Sequence, residues 1–108
     1  MFKFVNPASV WWPVTVEIPA DGGAVTKGEF EAHFKLLPQT EIEALGKGTV
    51  AALLRSAMID WRGLNDAADQ ALPCTAENID TVCEWPCWRT GLVSAFYDAQ
   101  SGHARKNA

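Results

Sequence analysis

Apolar and polar residues alternate twice in the first third of the chain. From Trp12 the apolar positions are Trp12, Val14, Val16 and Ile18, with Thr15 and Glu17 on the other side, which is the period of a strand with one buried face. Pro13 has no N–H to give a ladder, so this strand lies at a sheet edge or starts there. The segment "PADGGA" carries the Asp-Gly signal of a chain reversal. Beyond it Phe30, Ala32, Phe34 and Leu36 alternate with Glu29, Glu31, His33 and Lys35, the clearest two-residue period in the sequence. Gly28 marks a bulge or the end of the turn. Phe2 to Val5 offer a third strand, separated from the others by "NPAS".

After Pro38 the period lengthens. Thr40 and Glu43 have the spacing of a capping box, in which hydroxyl and carboxylate each satisfy a backbone N–H orphaned at a helix start. Gly46 and Gly48 interrupt that short helix, after which Val50, Leu53, Leu54, Ala57, Met58 and Trp61 recur every three or four residues, as one face of an amphipathic helix does. Gly63 suits a left-handed cap after it, and the polar run to Pro73 reads as a loop. Thr75 is an N-cap for "AENIDTVC", with Glu77 near the positive helix end and Ile79, Val82 and Cys83 on one side. Pro86 ends or resets that helix and opens a new one, along which Trp88, Leu92, Ala95, Phe96 and Ala99 run to Gly102. The expected fold is α+β: an N-terminal antiparallel hairpin of two or three strands over about residues 10–37, packed on three or four helices over about 40–102. One domain spans 1–102, followed by a flexible basic tail at 103–108.

The 108 residues, 48% of them hydrophobic, suit a single core that removes about two thirds of the unfolded surface from water. Thirteen acidic residues against nine basic give a net charge of −4, and no Lys/Arg cluster interrupts the globular part, which argues against nucleic-acid binding. The one basic run, His103, Arg105 and Lys106 in "HARKNA", reads as a solvated tail. The opening "MFKFVNPASVWWPVTVEIP" lacks the apolar run and small-residue site of an export signal. No apolar stretch approaches the ~20 residues of a membrane helix. A soluble cytosolic protein is expected, in which three cysteines, an odd number, form no disulfide framework.

The segment "CEWPCW" at 83–88 packs two thiols and two indoles around one proline and raises the question of chemistry. A metal needs three or four converging ligands, and the candidates Cys74, Cys83, Cys87, His33 and His103 are not spaced as in a zinc ribbon. Cys83 falls in line with Ile79 and Val82, where a thiol fills space as a small hydrophobe. Cys87 lies at a helix start, a place that lowers a thiol pKa, so a thiol-dependent or metal-dependent activity centred on Cys83 and Cys87 is the enzymatic alternative. His33 belongs to the polar face of its strand, and no third group is nominated to orient it toward Cys87 or Ser94. The glycines of "TKGEF" and "LGKGTV" make no phosphate-cradling loop. No enzyme class, metal or cofactor is expected.

Five tryptophans, at positions 11, 12, 61, 85 and 88, exceed what a small core buries easily with every indole N–H satisfied. Trp11 and Trp12 are consecutive on a strand and face opposite ways, which leaves one of them for another subunit or a partner unless helices cover both faces. Trp11, Trp61 and Trp85 are the candidate partner-contacting or orienting residues, with the core as the other reading of Trp61.

In order, these features resemble the tail assembly chaperones of long-tailed bacteriophages. The resemblance covers most of the chain: "WWPVTVEIPADGGAVTKGEFEAHFKLLPQTEI", a hairpin closing in an aromatic-x-Ala-x-Phe-Lys pattern before a capped helix; "LLRSAMIDWRGLND", a helix ending in tryptophan; "LPCTAENIDTV"; and "WRTGLVSAFYDAQSGHARKN", a final helix with Gly and a Lys-Asn tail. The motifs are individually degenerate, and the loop "NDAADQALP" departs from the Asp-Gly and longer acidic loop common in that family. The resemblance implies a non-enzymatic protein of the bacterial host cytoplasm that binds the tail tape measure protein, keeps it soluble while tail tube subunits assemble, and forms homo-oligomers. It also implies a longer form made by a minus-one ribosomal slip, for which Lys106 and Asn107 read as AAA AAC would supply the slippery site, and through which the tail tube protein would be engaged. The alternative is another small phage structural protein, such as a head-tail joining component.

Overall fold

The hairpin forms where its alternation requires. Strand β1 runs Ser9–Pro19 and β2 runs Val25–Lys35, antiparallel and paired from Ser9↔Lys35 to Pro19↔Val25. The computed structural model describes residues 1–103. A single 3-10 turn, Asp21–Gly23, reverses the chain, with Gly22 and Gly23 at φ of 76° and 80°, a region that residues with a Cβ enter at a cost. Val14, Val16, Phe30, Ala32 and Phe34 are buried. Ile18, expected inward with them, is exposed, because residues 17–27 around the hairpin tip are all open to solvent. Within the sheet β1 pairs with β2 alone and so lies at an edge, which accommodates Pro13. Gly28 pairs regularly with Val16, without a bulge.

The third strand is not Phe2 to Val5. That segment joins no sheet, and Phe2 and Phe4 are 100% and 98% exposed. Strand β3 is instead Met58–Arg62, antiparallel to β2, so the helix expected to reach Trp61 stops at Ala57. The reason is a register irregularity between His33 and Phe34, which pairs Phe34 with Met58 but Ala32 with Trp61. The extra residue puts the inward side chains of β3 three apart, a spacing that imitates a helical face. Gly63 does take a left-handed φ of 79°, but it ends a strand.

The described residues form four helices, of which the second ends four residues short of the expected Trp61 and the first starts without its expected cap. Helix α1, Gln39–Gly46, starts behind Pro38, whose carbonyl accepts from the N–H groups of Glu41 and Ile42. Thr40 therefore lies inside the helix and the capping box does not form; Glu43 accepts from Gln39 Nε2 at 3.4 Å instead. Helix α2, Val50–Ala57, is capped by Thr49 Oγ1, which accepts from Ala52 N at 3.1 Å. Helix α3, Ala76–Cys83, is capped by Thr75 as its sequence indicates, Oγ1 accepting from Asn78 N at 3.1 Å. Helix α4, Pro86–Ser101, carries proline in its first turn and ends at Gly102, φ 69°.

The core lies between the sheet and the helices. Phe34, Phe96, Leu54, Leu92, Val14 and Val16 are its largest fully buried side chains, each contributing about 1.5–3 kcal/mol by leaving water. Phe34 of β2 meets Phe96 of α4 edge-on, with centroids 5.7 Å apart. Gly91 lets α4 lie directly on β1, for a Cβ there would come within 2.6 Å of the Thr15 carbonyl oxygen. At the far end of α4, Gln100 Nε2 donates to Lys35 O and its Oε1 accepts from Leu37 N. His103 N donates to Asp98 O at 2.9 Å, while Arg105 and Lys106 of the basic tail lie outside the described residues. No helix among those residues is long and apolar enough to cross a membrane.

Candidate functional site

The "CEWPCW" stretch is the junction of α3 and α4. Cys83 ends α3 in the core at 4% exposure, and Trp85 is the N-cap residue of α4, in extended conformation with φ −98° and ψ 118°. That geometry turns the Trp85 ring outward, 65% exposed. Trp88, one turn into α4, leans inward on Phe30 with centroids 6.1 Å apart. Between them opens an apolar groove of about 400 Å³, lined by Trp85, Trp88, Val82 and Thr81 on the helix side and Leu64, Asn65, Ala67 and Leu72 on the other.

The loop side of the groove is held by its own hydrogen bonds. Leu72 N donates to Leu64 O at 3.0 Å, and Asn65 and Ala71 form a bridge. Asp66 Oδ1 accepts from Ala68 N and Gln70 N, so "NDAADQALP" folds as a closed lobe. Trp61 fixes the lobe to the body. It is buried on β3 against Phe30, centroids 6.4 Å apart and nearly perpendicular, and its Nε1 donates to Leu72 O at 2.7 Å. The structure thus places Trp61 in the core, where it orients the groove wall and offers a partner no ring surface.

Trp11 lies elsewhere. It faces away from the helices on the outer side of the sheet, half-buried, with Trp12 turned toward the core. Its ring stacks on His33 at 4.6 Å, and the Arg62 guanidinium sits 4.1 Å above it, a cation–π contact of about 0.5–1 kcal/mol at an exposed site. Arg62 also donates to Glu31 at 2.9 Å, and His33 Nε2 bonds Ser9 Oγ at 2.8 Å. The result is a mixed, charged surface whose one large apolar ring is already covered. Of the three candidates, only Trp85 presents an open indole beside an apolar hollow.

The thiols are dispersed. Cys74, Cys83 and Cys87 are all free. Burial, then the nearby Asp60 carboxylate, pushes the Cys74 thiol from an ordinary 9.0 to about 11, and burial followed by Asp80 raises Cys83. Both environments favour the protonated thiol. Cys87 lines a separate hollow of about 380 Å³ with Thr15, Thr90 and Ser94 beside β1; His33 is not part of it. Among the described residues no three His, Cys, Asp or Glu side chains gather as a metal would need.

Sequence reasoning reached Trp85 but missed Leu64, Leu72, Val82 and Trp88 as its partners. The available signal was a leucine at each end of a polar run, which marks a loop closed on the body. Comparison with family models, curated proteins and solved structures found no match.

Proposed function

We propose that this chain is a tail assembly chaperone of a long-tailed bacteriophage, which binds the tail tape measure protein in the cytoplasm of the bacterial host and keeps it soluble until tail tube subunits enclose it. The observation that carries the reading is the open apolar groove with Trp85 standing at its lip. A long helical client exposes an apolar stripe that aggregates unless covered, and helix-in-groove docking covers one with side chains at i, i+3, i+4 and i+7. The groove accommodates a short stretch, so one copy binds weakly; many copies along one client gain by avidity. The net charge of −4 keeps such a coat in solution. Copies also associate with one another, and a longer frameshifted form engages the tail tube protein.

Co-expression with the tape measure protein encoded in the same genome tests this. A client that precipitates alone and co-purifies in the soluble fraction with this chain supports the reading. A client equally soluble without it, or one that never co-purifies, refutes it. Recovery of the chain as a permanent ring in finished particles would identify a head-tail joining component instead.

A further inference from the structure

We infer that the N-terminal arm of one copy docks in the Trp85 groove of another, so that the free protein associates head to tail. Among the described residues the arm is an apolar segment that the body does not use. Phe2 and Phe4 are fully open and Val5 is 75% exposed; Phe4 only skirts Leu36, Leu37 and Pro38. Phe2 and Phe4 alternate with Lys3, a strand-like pattern that finds no strand to pair with in its own chain.

The arm cannot seat both of its rings in its own groove. Its root is fixed where Ala8 O accepts from Leu36 N, beside the end of α4 that Gln100 ties to Lys35 and Leu37. The groove lies at the other end of α4, and the twelve residues from Trp88 to Gln100 span about 18 Å of helix. Phe4, four residues from Ala8, extends at most about 14 Å and Phe2, six residues away, at most about 22 Å, so even a taut arm cannot bring both rings into its own groove. A second copy satisfies what the first cannot.

Charge and area favour that occupant. Lys3 is the arm's charged side chain, and the loop wall of the groove carries Asp66, between the lining residues Asn65 and Ala67, and Asp69, which accepts from Asn65 Nδ2 at 2.9 Å. Each phenylalanine carries about 150–250 Å², so the arm and the groove surface it covers together approach the ~1,000 Å² that a specific weak contact needs. Because arm and groove are different patches, the contact is heterologous and propagates into rings or chains. It goes beyond the client reading and is tested without any client; a client helix and a neighbour's arm are alternative occupants of one groove.

The test is sedimentation equilibrium of the full chain over a concentration series. Wild type should rise in mass from one chain to two and beyond. The arm variant Phe2→Asp/Phe4→Asp and the groove variant Trp85→Ser should each stay at the mass of one chain, with association weakened about tenfold or more. Both should fold, since the arm is outside the core and serine is favoured at an N-cap. An equal mixture of the two variants keeps one intact arm and one intact groove, and should stop at two chains. A wild type that remains a single chain throughout, variants that associate like wild type, or a mixture that stays monomeric would each overturn the inference.

Discussion

Replacing Gly91 by alanine adds one methyl group where α4 crosses β1. That Cβ would sit 2.6 Å from the Thr15 carbonyl oxygen and 3.1 Å from Val16 Cγ2. The first obstacle is backbone, so no rotamer change relieves it. Restoring the 3.4 Å of ordinary contact moves α4 about 0.8 Å off β1, and a gap of 0.5–1 Å forfeits about a quarter to a half of each dispersion contact across it. Leu92, Ala95, Phe96 and Ala99 are all buried on that helix, so the loss spreads along the interface. Overpacking of this kind costs about 1–3 kcal/mol, and alanine's better helix propensity returns up to about 1 kcal/mol. A net loss of about 1 kcal/mol and a thermal midpoint lowered by about 5 °C are expected. Urea unfolding followed by far-UV circular dichroism reads it, with Gly46→Ala as control. A Cβ at Gly46 meets only Tyr97 Oη at 3.9 Å, so that change should stabilise by about 0.5 kcal/mol. A Gly91→Ala protein as stable as wild type would refute the close approach of α4 to β1.

Trp61→Phe removes the donor to Leu72 O while keeping an aromatic ring in the core. It should cost about 1–2 kcal/mol in urea unfolding and speed proteolytic cleavage within residues 64–73; unchanged cleavage would mean that the lobe holds without the tryptophan. The raised pKa of Cys74 makes a signed pH prediction. The folded state favours the protonated thiol, so its contribution to stability is complete below pH 9 and lost as pH rises toward 11. The urea midpoint of wild type should fall across that window more steeply than that of Cys74→Ala, and parallel curves would contradict the burial argument. Iodoacetamide at pH 8 should modify Cys74 and Cys83 far more slowly in the native protein than in urea, as mass spectrometry of the labelled chain would show.

The hairpin was legible because each strand has one buried face, and Val14, Val16, Phe30, Ala32 and Phe34 show it in a strict period of two. Thr75 and Pro86 were legible because capping and first-turn chemistry are local. Strand β3 was not, because its bulged pairing spaces Met58 and Trp61 as a helix would. Phe2 to Val5 shows the converse: alternation is necessary for a half-buried strand but does not supply the partner. Pro38 displaced the capping box because its carbonyl was already placed to accept the first helical N–H groups. Trp85 was visible as a surplus indole. Its groove is assembled from residues 64–72, 81–82 and 85–88, which meet only after folding, and half of its wall comes from a loop that reads as polar.

The Trp85 groove is proposed to cover the apolar stripe of a helical client. Light scattering of the tape measure protein, diluted from denaturant with wild type or with Trp85→Ser, tests it most directly. Wild type should suppress scattering in proportion to its concentration and Trp85→Ser should not. Equal protection by the two proteins, or none by either, would contradict the claim.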